Sequence, residues 1–324
     1  MRPVMAVLLV VGVTAAGYWV GDRVRQTPLG SGSDTAPAIA AAGDIACDPN
    51  SPNFKGGRGT ATACHMQTTA QLMLNEQLAA VLPLGDLQYE VGSADAFQKS
   101  YDRSWGQLKA ITRPVVGNHE YETPGATAYF RYFGAAAGDP QRGYYSYDLG
   151  QWHIIALNSN CAEIGGCDRD SPQGKWLQAD LAAHPRKCTL AYWHHPRFSS
   201  GHHGNNSSTQ DFWQMLYTAG AEVILTGHDH HYERFAPQTS QGQRDEQRGI
   251  QQFVVGTGGK NHYELQDIQP NSQVQNADTY GVLKLTLHPT SYAWRFIAEP
   301  GKSFTDAGSR SCHSTKSGLG TSSY

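Results

Sequence analysis

Lys and Arg are few in this 324-residue chain, 25 against 28 Asp and Glu, and nowhere form a block. That excludes a basic nucleic-acid-binding face. No C-x-x-C pair occurs among the six cysteines. Zinc ribbons and thioredoxin-type redox pairs are excluded with it. Gly256-Thr257-Gly258-Gly259 lacks the Walker spacing and reads as a turn after a strand. No Cys or Ser motif offers a covalent phosphate acceptor. There is no internal repeat and no break that marks a second folded domain.

One long apolar run is present, over residues 4–20, with Arg2 before it and Ala15, Ala16 and Gly17 at its end. This is the layout of a secretory signal peptide. At the short edge of a bilayer span, it also fits an uncleaved anchor. Residues 1–27 are therefore a signal or an anchor, and either places the rest of the chain outside the cytoplasm. Residues 28–37 form a Pro/Gly/Ser linker, 38–300 the folded domain, and 301–324 a polar tail held at Cys312. An even number of cysteines in an exported chain implies disulfides. Proximity pairs Cys47 with Cys64 and Cys161 with Cys167, which leaves Cys188 with Cys312. Free buried thiols are the alternative.

Short apolar runs predict strands at 38–42, 81–84, 114–116, 189–193 and 223–226, and closing strands at 252–255, 282–287 and 292–297. Gly150-Gln151 predicts a hairpin between 144–149 and 152–158. Helical spacing is found over 67–81, 94–110, 175–183 and 211–219. Alternating strands and helices imply sheets covered by helices.

Five segments stand where those strands end: Gly-Asp-Ile-Ala-Cys (43–47), Gly-Asp-Leu-Gln-Tyr (85–89), Gly-Asn-His-Glu (117–120), His-His-Pro (194–196) and Gly-His-Asp-His-His-Tyr-Glu-Arg (227–234). Strand C-termini are where open α/β sheets carry their sites. Carboxylate, amide, phenol and imidazole donors together suit Zn, Mn or Fe. Two such ions side by side hydrolyse phosphate esters.

In order and chemistry the five segments, spanning about 39–297, resemble the calcineurin-like metallophosphoesterases, and most closely the purple acid phosphatase branch. The resemblance implies a four-layer α/β/β/α sandwich of two mixed β-sheets flanked by helices. It also implies two metal ions, Fe(III) with Zn, Mn or Fe(II). The general family opens with Asp-x-His. Here Asp44-Ile45-Ala46 lacks that donor, and Tyr89 replaces it, as a phenolate does in purple acid phosphatases. Asp44, Asp86, Tyr89 and His230 would hold the first ion. Asn118, His194 and His228 would hold the second, with Asp86 giving one oxygen to each.

His119 would face the phosphate. His202 or His203 would protonate the leaving group; the loop is about one residue shorter than the family's, and either could act. His195, one position past His194, is expected on the other face, lining the pocket. Asp229 and His231 are expected behind the ligands, orienting imidazoles. His65, His153, His184, His262, His288 and His313 match no motif and read as structural or surface residues.

The implied activity is hydrolysis of phosphate monoesters by a metal-bound hydroxide, on a small-molecule substrate. A phosphodiesterase or nucleotidase using the same site is the alternative; a catalytically silent metal-binding domain is a third reading. No nucleic-acid partner is expected. Membrane contact is expected only through residues 1–27 if they stay uncleaved.

Overall fold

The computed structural model describes residues 36–185 and 188–313. Strands β1 (Ala38–Ala42) and β2 (Ala80–Pro83) begin a first sheet. A second sheet holds β3 (Tyr145–Leu149), β4 (Trp152–Ala156), β5 (Cys188–Tyr192), β6 (Val223–Thr226), β7 (Tyr232–Phe235), β8 (Gln251–Val255) and β9 (Ser272–Asn276). The chain then returns to the first with β10 (Gly281–His288), β11 (Ser291–Ala298) and β12 (Ala307–Ser311). The strand orders are β12-β11-β10-β1-β2 and β3-β4-β5-β6-β8-β7-β9. Both sheets are mixed: β1–β2 and β4–β5–β6–β8 run parallel, the remaining pairs antiparallel.

Side chains alternate across each strand, and this alternation sets the layers. Ile154, Leu190, Leu225 and Phe253 of the second sheet join Leu283, Leu285 and Phe296 of the first in one apolar core. Their neighbours Ile155, Ala191, Ile224 and Val254 face outward. There they meet Leu177 of helix Pro172–Ala183 and Phe212, Trp213 and Leu216 of helix Gln210–Ala219. Helix Met66–Leu74 covers the first sheet and buries Met66, Ala70 and Met73. The result is the four-layer sandwich expected from the sequence. Each fully buried Leu, Ile or Phe contributes about 1.5–3 kcal/mol.

Local structure departs from expectation where tertiary bonds compete with helix periodicity. The 67–81 helix stops at Leu74, because Ala79 N–H already donates to Ala38 in the first sheet (2.8 Å). The 94–110 segment breaks into three short pieces, Ala94–Ala96, Phe97–Tyr101 and Trp105–Ile111. Packing of Phe97 and Tyr101 on Tyr132 and Phe133 outweighs a straight helix there. The 114–116 strand shrinks to a bridge between Val115 and Leu84. Helix Thr127–Phe133 and strands β7, β9 and β12 were not legible; β12 pairs with β11 inside the polar stretch taken as tail.

The three expected disulfides form, Cys47–Cys64, Cys161–Cys167 and Cys188–Cys312. Among the described residues no helix is long and apolar enough to cross a membrane. The signal or anchor expected over 1–27 lies outside those residues.

Candidate metal centre and catalytic cleft

The parallel strands β1, β2, β5 and β6 all end at one edge of the sandwich. Asp44, Asp86, His194 and His228 follow them within two or three residues. Asp44, Asp86 and His228 have φ of 60°, 50° and 71°. That left-handed backbone is costly for such residues and concentrates at functional sites. Gly117 permits the closest approach: a Cβ there would lie 2.1 Å from Asp86 Oδ1.

Two donor sets converge. In the first, Tyr89 Oη lies 2.9 Å from Asp44 Oδ1, 3.0 Å from Asp86 Oδ2 and 3.0 Å from His230 Nε2. His230 Nε2 is 3.3 Å from Asp44 Oδ1. In the second, His194 Nε2 lies 3.1 Å from Asn118 Oδ1, 3.1 Å from His228 Nδ1 and 3.3 Å from Asp86 Oδ2. All seven expected ligands are thus brought together. One detail differs from expectation. Asp86 turns a single oxygen, Oδ2, to both sets, while Oδ1 accepts the His119 N–H at 2.9 Å.

The donor set fits cations. His194 Nδ1 is 2.8 Å from the Leu84 carbonyl, which can only accept, so Nδ1 carries the proton. In the neutral ring Nε2 is then a lone pair facing two oxygens and a histidine nitrogen. Tyr89 likewise has one proton for two carboxylate oxygens, Asp44 Oδ1 and Asp86 Oδ2. Positive charge between these atoms resolves both shortages. The electrostatics agree. Burial lowers the His194 pKa, but the Asp86 carboxylate more than offsets it and pushes it up to about 9. Burial, then the charges of Asp44 and Asp86, push the Tyr89 phenol well above its usual range. Burial and the charges of His194 and His195 hold His228 well below its own.

Around this centre stand the other expected residues. His119 donates Nδ1–H to the Glu90 carbonyl and holds Nε2 3.8 Å from Asp86 Oδ2. His203 stacks on His228 with ring centroids 4.1 Å apart, and His202 sits beside it at 5.2 Å. Both line a cleft of about 380 Å³ with His262, Tyr263, Glu264 and Gln266. His195 is not turned away. Its ring lies 4.4 Å from that of His228, with Nδ1 2.8 Å from Ser159 Oγ. Burial, with the charge of His194, pushes its pKa down to about 3.

Asp229 and His231 do not orient the ligand imidazoles. Asp229 accepts from Ser199 Oγ and His203 N–H, and His231 pairs with Glu233. The glycine-rich turn after β8 behaves as expected: Gly258 N–H donates to Gly43 and Lys260 N–H to Asp44, each at 2.9 Å.

Other neighbours were missed. Glu120 is fully buried and accepts four backbone N–H bonds, from Asp86, Leu87, Gln88 and Gly117 at 2.8–3.1 Å, fixing the Asp86 loop. Its place three residues after Gly117 was the available signal. Tyr263 stacks on His230 (3.9 Å, 8°), and the Lys260 ammonium lies 4.5 Å from the centre of the Tyr89 ring. His262 Nδ1 is 3.2 Å from the His230 carbonyl oxygen. These three sit on a loop with no motif.

Comparison with known proteins points the same way. Residues 39–232 match the family model described as calcineurin-like phosphoesterase. Purple acid phosphatase 18 of Arabidopsis thaliana is 28% identical over 232 residues, covering 64% of this chain and 51% of that protein. Acid phosphatase type 7 of Homo sapiens is 27% identical over 274 residues, covering 73% and 58%. The chain thus spans about half the length of the relatives it matches. The structure of a purple acid phosphatase from yellow lupin (Lupinus luteus) seeds superposes with a TM-score of 0.71 at 18% identity, covering 86% of this chain and 54% of that one. That likeness is of fold. With the family model matching more than half of its length, this chain belongs to the calcineurin-like phosphoesterase family.

Proposed function

We propose that this chain is an exported phosphatase that hydrolyses phosphate monoesters at two metal ions. One observation carries the reading: Asp86 Oδ2 stands 3.0 Å from Tyr89 Oη and 3.3 Å from His194 Nε2, so two donor sets share one oxygen. Asp44, Asp86, Tyr89 and His230 would hold Fe(III). Asp86, Asn118, His194 and His228 would hold Zn, Mn or Fe(II). When bound, such a pair supplies Lewis acidity and lowers the pKa of water at the site.

The chain's own side chains supply the rest. His119, with Nδ1–H committed to the Glu90 carbonyl, presents Nε2 to a phosphoryl oxygen and neutralises charge there when protonated. As the oxygen of water bonds to phosphorus and the ester P–O bond breaks, His202 or His203 gives a proton to the departing alkoxide. Both imidazoles are exposed and have no hydrogen-bond partner among the described residues, so a nitrogen is free to do so. Export is supported by three disulfides, which persist in oxidising compartments.

The test is turnover of a chromogenic phosphate monoester. Chelation should abolish it and Zn, Mn or Fe should restore it, with monoesters turned over faster than the matching diesters. Full activity in a verified metal-free sample refutes the reading.

A further inference from the structure

The histidine loop, residues 199–206, owes its position to carboxylates from the segment that carries His228 and His230. Asp229 lies between those two histidines and is fully buried. Its Oδ2 accepts from Ser199 Oγ at 2.5 Å, and its Oδ1 accepts from His203 N–H at 2.8 Å. Gly201 passes so near that a Cβ would lie 2.6 Å from Asp229 Cγ. Ser199 Oγ in turn accepts from Gly201 N–H at 3.0 Å. Glu233, also fully buried, accepts from Ser200 N–H at 2.8 Å and Ser200 Oγ at 2.5 Å. The segment from 199 to 203 is therefore bonded to the ligand segment at four points, two through its backbone N–H groups and two through serine hydroxyls.

The imidazoles themselves have no such ties. His202 and His203 are exposed and lie between Gly201 and Gly204, and their imidazole nitrogens have no hydrogen-bond partner among the described residues. An exposed, glycine-flanked loop samples many positions unless its backbone is held. Among the loop's contacts to the ligand segment, the bond to Asp229 is the one that reaches the backbone of His203 itself.

We propose that Asp229 is a positioning residue, which sets the reach of the acid histidine by clamping its backbone to the segment that holds His228 and His230. The proposal rests on the phosphatase reading above. It explains a buried carboxylate between two ligand candidates whose bonds go to the opposite loop and to no imidazole.

The experiment compares Asp229→Ala, Asp229→Asn and Ser199→Ala on an alkyl and a p-nitrophenyl phosphate, with metal content measured in each. Alkyl leaving groups need protonation and p-nitrophenolate does not. Asp229→Ala should lower kcat on the alkyl ester about 10- to 100-fold, the cost of misplacing a reacting group by an ångström or so. On the aryl ester the loss should stay within about threefold, with KM and metal content unchanged. In Asp229→Asn the amide oxygen can still accept from His203 and its NH₂ can donate to Ser199, so the alkyl rate should return to within about threefold of wild type. Ser199→Ala removes two bonds, the one to Asp229 Oδ2 and the one from Gly201 N–H, and leaves the carboxylate in place. It should give the same selective loss, about three- to tenfold, and decides the matter if Asp229→Ala does not fold. Equal losses on both esters, loss of metal, or failure of Asn to rescue overturns the proposal while the wild type's turnover leaves the phosphatase reading intact. A wild type that turns over neither ester overturns that reading, and this one with it.

Discussion

Among the described residues, two groups rich in histidine each bring ligand atoms of three side chains within 4.8 Å of one another. One is His194, His195 and His228 at the strand ends. The other is Asp148, His153 and His184, on the β3–β4 hairpin and just past helix Pro172–Ala183. In the first, His194 Nε2 and His228 Nδ1 face each other at 3.1 Å, so two acceptors meet unless a cation or a proton intervenes. In the second, His153 has a carboxylate on each nitrogen, Asp148 at 3.0 Å and Asp180 at 2.7 Å. His184 only stacks on it, at 3.8 Å. Stacked rings direct their lone pairs in parallel, which is poor geometry for one shared ion. The lesson is electrostatic. A histidine cluster whose protons are all accounted for is finished as it stands; one left short of positive charge is built for something else.

The comparison is broken most severely at Asp86. Asp86→Ala removes the oxygen common to both donor sets and should cost about 10³-fold or more in turnover, with loss of bound metal measured by elemental analysis. Asp148→Ala and His184→Ala should leave metal content and turnover unchanged. If they deplete metal and Asp86→Ala does not, the two clusters have been assigned the wrong way round.

Next in size is the histidine loop. Replacing His202 and His203 together should slow alkyl phosphates about 10²–10⁴-fold and aryl phosphates much less. Equal losses would make the pair a binding element.

Tyr89→Phe keeps the ring and removes the donor oxygen. It should weaken the first ion at least about tenfold and, in iron-loaded protein, bleach any phenolate charge-transfer band. Unchanged metal stoichiometry together with an unchanged spectrum would make Tyr89 a packed aromatic.

The smallest effect belongs to the closed cluster and concerns stability. Burial lowers the His153 pKa, but the hydrogen bonds and charges of Asp180 and Asp148 outweigh it, and the folded value is raised. A raised histidine stabilises the fold fully below its unfolded pKa of about 6.5, and that contribution fades as pH rises through the folded value. His153→Gln should therefore cost about 1 kcal/mol at pH 5.5 and less at pH 9 in urea denaturation, with turnover unaffected. A gap that does not change with pH would contradict the sign.

Much of this was legible in the sequence, for a physical reason. A ligand after a buried parallel strand is fixed by the strand, and short apolar runs are read directly from the chain. Asp44, Asp86, Asn118, His194, His228 and His230 follow such runs, and the family resemblance, with Ala46 where the general pattern has a His donor, implied Tyr89. Two disulfides followed from proximity, since their cysteines stand 17 and 6 positions apart, and the third, across 124 positions, was the pair that remained.

What the sequence could not determine depends on atoms far apart in the chain. Asp86 offers one oxygen to both donor sets because the other is held by the His119 N–H, 33 positions away. Asp229 serves the loop at 199–203 because β6 and β7 bring its carboxylate under that loop; alternation along a strand said only that it faced away from His228 and His230. Tyr263 and Lys260 reach the centre from a loop with no periodic signal, as a consequence of where the turn after β8 docks on Gly43 and Asp44. The sequence by itself set which groups are the candidates for the chemistry, since residue type and strand-end position are local properties. Only the tertiary structure decided which oxygen, nitrogen or backbone N–H each one meets, because those meetings depend on how the two sheets pack face to face.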